Sequence, residues 1–182
     1  MAPNIVDTDT WQRAEILMQP IFIRLIDHFR KVLEDSPWKG DYQQREIWPD
    51  SIPESVKQHR QDLITQLATA SNQEDVALLE IELETLPTPY PGYELHLYLA
   101  NENPERSPHT DPIAIFDLWQ ICYHICFTNY PLDAQDCPVA IVDTHLLDED
   151  GDVDWQQVDQ KTGRVVQHLF NTLSLRVENE TR

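Results

Sequence analysis

Hydrophobic residues recur at three- and four-residue steps between residues 8 and 35. The stripe consists of Trp11, Met18, Phe22, Leu25, Phe29 and Val32, widened by Ile21, Ile26 and Leu33. Because residues three and four apart share a helix face, this spacing predicts one long amphipathic helix. We expect Thr8, Asp9 or Thr10 to cap its start. Pro20 lacks a backbone donor, which predicts a kink or two abutting helices at that position.

A loop and a second helix are predicted to follow. Residues 36–50 (SPWKGDYQQREIWPD) are predicted to form a loop rich in aromatic residues: Trp38, Tyr42 and Trp48. Ser51 and Glu54 then have the spacing of a capping box, in which each side chain bonds the other residue's backbone N–H. The helix that they begin is predicted to end near Ala70.

The hydrophobic period then changes from 3.6 to 2. In residues 79–86 (LEIELETL) and 93–100 (YELHLYLA), leucines and isoleucines alternate with mostly polar residues. Alternation of this kind is typical of half-buried strands, so the two segments predict an antiparallel hairpin. A second hairpin is predicted from residues 138–147 (PVAIVDTHLL) and 152–158 (DVDWQQV).

Two further helices complete the prediction. One covers the apolar run from Pro112 to about Asn129, with Asp111 as its cap, and the last covers residues 163–177. The order is therefore α-α-β-β-α-β-β-α. It predicts an α+β fold with an antiparallel four-stranded sheet packed by helices. We expect a single domain over residues 1–182, with residues 1–35 as its N-terminal amphipathic helix.

Composition narrows the classes of function. The chain has 32 acidic residues against 13 Lys and Arg, a formal net charge of −19. That charge repels nucleic acids and anionic lipids but suits a basic protein partner as well as plain solubility. The three cysteines cannot all pair, which indicates a reducing compartment. With neither a signal-peptide pattern nor an apolar run of about 20 residues, the expected location is the cytoplasm.

The segment LLDEDGDVDW, residues 146–155, places five acidic residues around Gly151. A helix-loop-helix calcium loop needs ligands at its first and twelfth positions when glycine is sixth. Here those positions are occupied by Leu146 and Gln157, and neither side chain has a carboxylate. Asp150-Gly151 is instead a favoured hairpin turn, since glycine accepts positive φ. The segment therefore predicts a turn.

His109-Thr110-Asp111 followed by proline resembles the H-x-D motif of the iron(II)/2-oxoglutarate dioxygenases. The resemblance implies His109, Asp111 and His168 as iron ligands, and Arg176 as the residue that binds the cosubstrate carboxylate. The pattern around these residues departs from that family, because it predicts a helix after Asp111, His168 within a helix, and four strands where the family's barrel has eight.

Other candidate sites have structural interpretations. Cys122 and Cys126 share a helix face, whereas His124 points elsewhere, so the cysteines are expected to fill the core. Asp143 and His145 have the spacing of an exposed polar pair on a strand. No zinc knuckle, phosphate loop or nucleophile elbow is present, so the sequence predicts no cofactor and no metal.

The sequence therefore favours a non-catalytic acidic protein-interaction module: an assembly factor, an adaptor or an inhibitor. Its expected partner is a protein with a basic or amphipathic surface, bound through Trp38, Tyr42 and Trp48, because aromatic residues often anchor interfaces. A continuous acidic face would fit mimicry of a nucleic acid, and dispersed acids a merely soluble domain. The alternative is an oxygenase using His109, Asp111 and His168.

Overall fold

The computed structural model describes residues 3–49, 51–99, 111–132 and 139–180, with side chains up to residue 175. The helices are α1 (Thr8–Glu34), α2 (Glu54–Thr69), α3 (Gln73–Thr85), α4 (Leu118–Cys126) and α5 (Trp155–Glu180). The strands are β1 (Trp38–Ile47), β2 (Tyr90–Leu99) and β3 (Ala114–Asp117). The chain forms two compact units, residues 1–43 with 93–182, and residues 44–92. The single-domain expectation stays a prediction.

Helix α1 provides the central face of the first unit's core. Its buried residues follow one another at steps of three or four: Ala14, Leu17, Ile21, Leu25 and Phe29. This face packs against α4 and α5. The buried residues of α5 are also spaced by three or four: Val158, Thr162, Val166, Phe170 and Leu173. The predicted amphipathic helix is confirmed, but Trp11 is 57% exposed because the buried face begins at Ala14.

The start and middle of α1 differ from the prediction. Asp7, and not Thr8, Asp9 or Thr10, is the cap: its carboxylate accepts from the backbone N and the hydroxyl of Thr10, both at 2.8 Å. Pro20 lies inside one continuous helix, so the chain does not form two abutting helices there.

The sheet has three strands in the order β1-β2-β3, and the prediction of four strands in two hairpins was wrong. Strand β2 runs antiparallel to β3, with Leu95 opposite Phe116 and Leu97 opposite Ala114. β1 occupies most of the segment predicted as a loop. Apart from Trp38 and Ile47 its residues are exposed, so no hydrophobic alternation marked it as a strand.

The predicted strand 79–86 is part of α3, which corrects the first hairpin. Val76, Leu79 and Leu83 are its half-buried positions, at steps of three and four. The alternating glutamates therefore coincided with a helical stripe, and both periods fit the same eight residues. Asn72 caps this helix by accepting from the backbone N of Glu74 at 3.0 Å.

The second hairpin, predicted from residues 138–147 and 152–158, was also wrong. From residue 139 on, where the structure describes it, its first arm pairs through isolated bridges at Val139, Val142 and Leu147, and a 3-10 helix covers Thr144–Leu146. Its second arm enters α5, because the carboxylate of Asp154 accepts from the backbone N of Gln156 and Gln157 at 3.0 and 3.1 Å. Capping of this kind fixes a helix start.

Two further helix starts were misplaced. Asp117, and not Asp111, caps α4, accepting from the backbone N of Trp119 and Gln120 at 3.0 and 3.1 Å. The residues between Asp111 and this cap include β3. Helix α2 begins at Glu54 after Pro53, without a side-chain cap, so the capping box of Ser51 and Glu54 is not formed.

We predict that Ile21→Ala lowers the free energy of unfolding by about 2–5 kcal/mol, since it leaves a cavity at a fully buried site. Ile23 is the matched control, because it lies on the same helix but is 50% exposed. Ile23→Ala is expected to change stability by less than about 1 kcal/mol. Chemical denaturation followed by circular dichroism measures both, and equal losses would contradict the assignment of the buried face.

Candidate functional site

Helices α2 and α3 form the helical part of the second unit. Leu63 is the buried residue of α2. Two polar contacts join the helices: an Arg60 guanidinium N–H donates to the carbonyl of Leu83 at 3.1 Å, and His59 Nε2 donates to a carboxylate oxygen of Glu82 at 3.0 Å. The contacts fix which side of α3 faces α2.

The other side of α3 exposes two large apolar side chains. Leu78 is 65% and Ile81 is 62% exposed, and no residue of α3 is buried. Residues three apart on a helix are neighbours, so these two side chains form one small apolar patch. Single exposed hydrophobics are common, but a helix with no buried residue gains little from packing.

Carboxylates border this patch. Helix α3 contains Glu74, Asp75, Glu80, Glu82 and Glu84, and neither lysine nor arginine. Glu74, Asp75 and Glu82 stand three or four residues from Leu78, and Glu84 stands three residues from Ile81. We call Leu78, Ile81 and the four bordering acidic residues, Glu74, Asp75, Glu82 and Glu84, the α3 surface.

The C-terminal half of α3 carries its acids at an unfavourable place. Glu82 and Glu84 lie in the last turn, where the partial negative end of the helix dipole disfavours carboxylates. Basic residues are absent from that turn. Glu82 already accepts from His59 of α2, and a cation from a partner would relieve the repulsion at Glu84, so the surface is chemically matched to positive charge.

The three aromatic residues predicted to bind a partner have different environments. Trp38 is only 5% exposed and belongs to the core, where it also lines a groove of about 570 Å³ with Val32 and Leu99. Tyr42 is 45% exposed, and Trp48 is half-buried. Trp38 is thus used for packing, whereas Tyr42 offers an exposed ring.

The residues of the oxygenase hypothesis are only partly described. His109 lies outside the described residues, and so does the side chain of Arg176. Asp111 is exposed ahead of β3, and His168 is exposed on α5. Within the described ranges, no group of three His, Cys, Asp or Glu side chains is placed to hold a metal ion. Whether His109, Asp111 and His168 come together to bind iron therefore stays a prediction.

The acidic segment 146–155 forms a tight turn organised by Asp148. Its carboxylate accepts from the backbone N of Asp150 and Asp152 at 3.0 and 2.9 Å. Gly151 has φ of +85°, as the turn prediction requires. The residues on either side of the turn pair through a single β-bridge, between Leu147 and Val153, and do not form a two-stranded hairpin.

The two helical cysteines are buried, as predicted. Burial raises the pKa of Cys126 to about 12, with a further rise from Asp143 that Lys161 opposes. Burial also raises the pKa of Cys122. Both thiols are therefore protonated at neutral pH, and a protonated thiol is a poor nucleophile and metal ligand.

Asp143 connects three parts of the first unit. It accepts from Lys161 Nζ at 2.7 Å and from His145 Nδ1 at 3.0 Å, and the same Lys161 ammonium donates to the carbonyl of Ile125 at 2.7 Å. Burial by itself would raise the pKa of Asp143, but the hydrogen bonds and charge of Lys161 with the His145 hydrogen bonds outweigh it, so the pKa is lowered.

Sequence reasoning missed the α3 surface. It assigned Ile81 to the buried face of a strand with Leu79 and Leu83, whereas Ile81 is exposed. The signal that could have identified the helix is Asn72 followed by acidic residues at positions 74 and 75, a pattern typical of a capped helix start.

A search against protein-family models, curated proteins and solved structures finds no match for this chain. Among the helices of the described residues, none combines the length and the apolar character that crossing a membrane requires. Function is therefore inferred from the surface itself.

We predict that Asp143→Asn lowers the free energy of unfolding by about 1–3 kcal/mol at pH 7, since it leaves the Lys161 ammonium without its charged acceptor. The folded-state pKa of Asp143 is below the ordinary 3.8. The stabilisation is therefore complete above about pH 5 and is lost as the pH falls through the folded pKa.

Denaturation curves of wild type and variant between pH 2.5 and 7 measure this difference. Asp9→Asn is the control, because Asp9 forms an exposed ion pair with Arg13 and is expected to change stability little. A difference between wild type and Asp143→Asn that stays constant across this pH range would contradict the role of the carboxylate.

Proposed function

We propose that this chain is a non-catalytic acidic interaction module that binds a protein partner through the α3 surface. The observation that supports it is the exposure of Leu78 and Ile81, both above 60%, on a helix with five acids and no Lys or Arg. The partner is a basic amphipathic helix, whose apolar side chains would cover the patch while its lysines or arginines meet the bordering carboxylates.

The energetics of such an interface divide between two kinds of contact. Covering apolar area supplies about 25 cal/mol per Å², concentrated on Leu78 and Ile81. The carboxylates contribute chiefly to the association rate and the choice of partner, because exposed ion pairs add little affinity. We therefore expect the apolar pair to dominate affinity and the acids to dominate salt dependence.

The net charge and two aromatic residues outside α3 would also contribute to binding. The net charge of −19 favours encounter with a basic partner over the whole surface. Tyr42, 45% exposed, is an additional anchor in the first unit, and Trp48 one in the second. An assembly factor, adaptor or inhibitor in the cytoplasm would act in this way.

The test uses a fluorescent helical peptide built from leucine and lysine with apolar residues on one face. We predict that the double variant Leu78→Ser with Ile81→Ser binds it at least about tenfold more weakly than wild type. Glu74→Gln with Glu84→Gln is expected to reduce the affinity several-fold at low salt and to weaken its dependence on salt. Fluorescence anisotropy at 50 and 500 mM NaCl measures both effects.

The matched control is Ile16→Ser with Ile23→Ser, which removes two apolar side chains that are 43% and 50% exposed on α1. It should bind like wild type. The proposal is wrong if this control loses as much affinity as the α3 variant, or if a peptide of equal charge without an apolar face binds equally well. Circular dichroism verifies that each variant is folded.

A further inference from the structure

The first unit contains a cleft whose described lining residues are mainly basic. Its volume is about 400 Å³, within the range of small-molecule sites. The lining residues are His124, Leu132, Asp143, Lys161, Arg164, Val165 and His168. Lys161, Arg164 and His168 are spaced by three and four residues on α5, so one helix face directs all three toward the cleft.

This lining is opposite in sign to the rest of the chain, in which acidic residues outnumber Lys and Arg by 32 to 13. Asp143 is the one carboxylate among the lining residues that the structure describes. Its two oxygens already accept from Lys161 and His145, so the Asp143 and Lys161 charges offset each other. The electrostatic potential in the cleft is therefore set mainly by Arg164, His124 and His168.

Arg164 keeps most of its hydrogen-bonding capacity. Its Nε donates to the carbonyl of Gln160 at 3.3 Å, and within the described residues the guanidinium forms no ion pair. The side chain of His168 likewise has no hydrogen-bond partner among the residues that the structure describes. A planar guanidinium with two terminal nitrogens available binds an oxyanion bidentately.

The imidazole ring of His124 is also oriented so that it can bind an oxyanion. Its Nδ1 donates to the carbonyl of Tyr130 at 2.7 Å, which fixes the imidazole ring. Its Nε2 has no partner in the described part of the chain, and it donates to an anion when the ring is protonated. Beside the Lys161–Asp143 ion pair, the described cleft thus offers the Arg164 guanidinium and two imidazoles.

We propose that this cleft binds a small organic dianion, with Arg164 gripping its phosphate or carboxylate oxygens and His168 and His124 donating beside it. Leu132 and Val165 provide apolar contact for the carbon skeleton of the ligand. Phosphate monoesters and dicarboxylates share the required chemistry. This inference does not rest on the α3 surface, which belongs to the other unit.

The experiment is isothermal titration of the full chain with glycerol phosphate, succinate and inorganic phosphate, each at constant ionic strength set with chloride. We expect saturable one-to-one binding of glycerol phosphate, succinate or both, and the stronger of these two identifies the ligand class. Arg164→Gln is expected to weaken it by about tenfold or more, since a charge-assisted hydrogen bond is lost. His168→Gln is expected to weaken it several-fold.

The control variant is Arg13→Gln, which removes a guanidinium from α1 outside the cleft. It should leave the affinity unchanged. The inference is overturned if none of the three anions binds saturably below about 10 mM. It is equally overturned if Arg13→Gln weakens binding as much as Arg164→Gln, since binding would then report general charge. Thermal unfolding without ligand verifies that Arg164→Gln remains folded.

Discussion

The burial of one face of α1 against α4 and α5 is the interaction on which the first unit depends. Leu17, Ile21, Leu25 and Phe29 are fully buried on that face. Each such side chain contributes about 1.5–3 kcal/mol of transfer free energy. The helices approach closely at Gly163, where an added Cβ would lie 2.9 Å from the His28 ring. His28 in turn donates to Asp159 at 3.1 Å, so polar contacts fix the register of this crossing.

The second unit has a different physical character. Leu63 is the buried residue of its helix α2, whereas α3 has none, and polar contacts of Arg60 and His59 with α3 supplement the packing. Segments with little buried apolar area open at low free-energy cost, and binding surfaces are commonly drawn from such segments. The exposed Leu78 and Ile81 are therefore more informative than an isolated exposed leucine in a well-packed helix. The cleft beside α5, by contrast, lies on the first unit, which holds nearly all of the buried hydrophobic residues.

The elements with one unambiguous period could be predicted from the sequence. Helix α1 and strand β2 appear where the pattern placed them, because each buries a full stripe in the core. Two elements were wrongly predicted because their hydrophobic pattern was missing or ambiguous. Strand β1 is polar on both faces, so its pairing with β2 is not marked by alternating hydrophobic residues. The segment LEIELETL fits both the strand period of 2 and the helix period of 3.6. The sequence of residues 138–147 contains β-branched side chains, but pairing partners are a tertiary property.

The sites were harder to predict than the fold. Trp38 was grouped with Tyr42 because both are aromatic, and burial separated them. The cleft required Lys161, Arg164 and His168 to face His124, which depends on how α5 lies beside α4 and is not encoded in local spacing. The acidic α3 surface required the correct helix assignment first, since a strand would have buried Ile81.

The central claim is that α3 is the binding surface, and amide chemical-shift mapping tests it most directly. The uniformly labelled chain would be titrated with the basic amphipathic peptide, and each amide shift followed. The account predicts saturating perturbations concentrated in residues 73–85, with those around Leu78 and Ile81 largest. Perturbations concentrated in residues 8–34 or 155–175, or spread evenly over the chain, would contradict it.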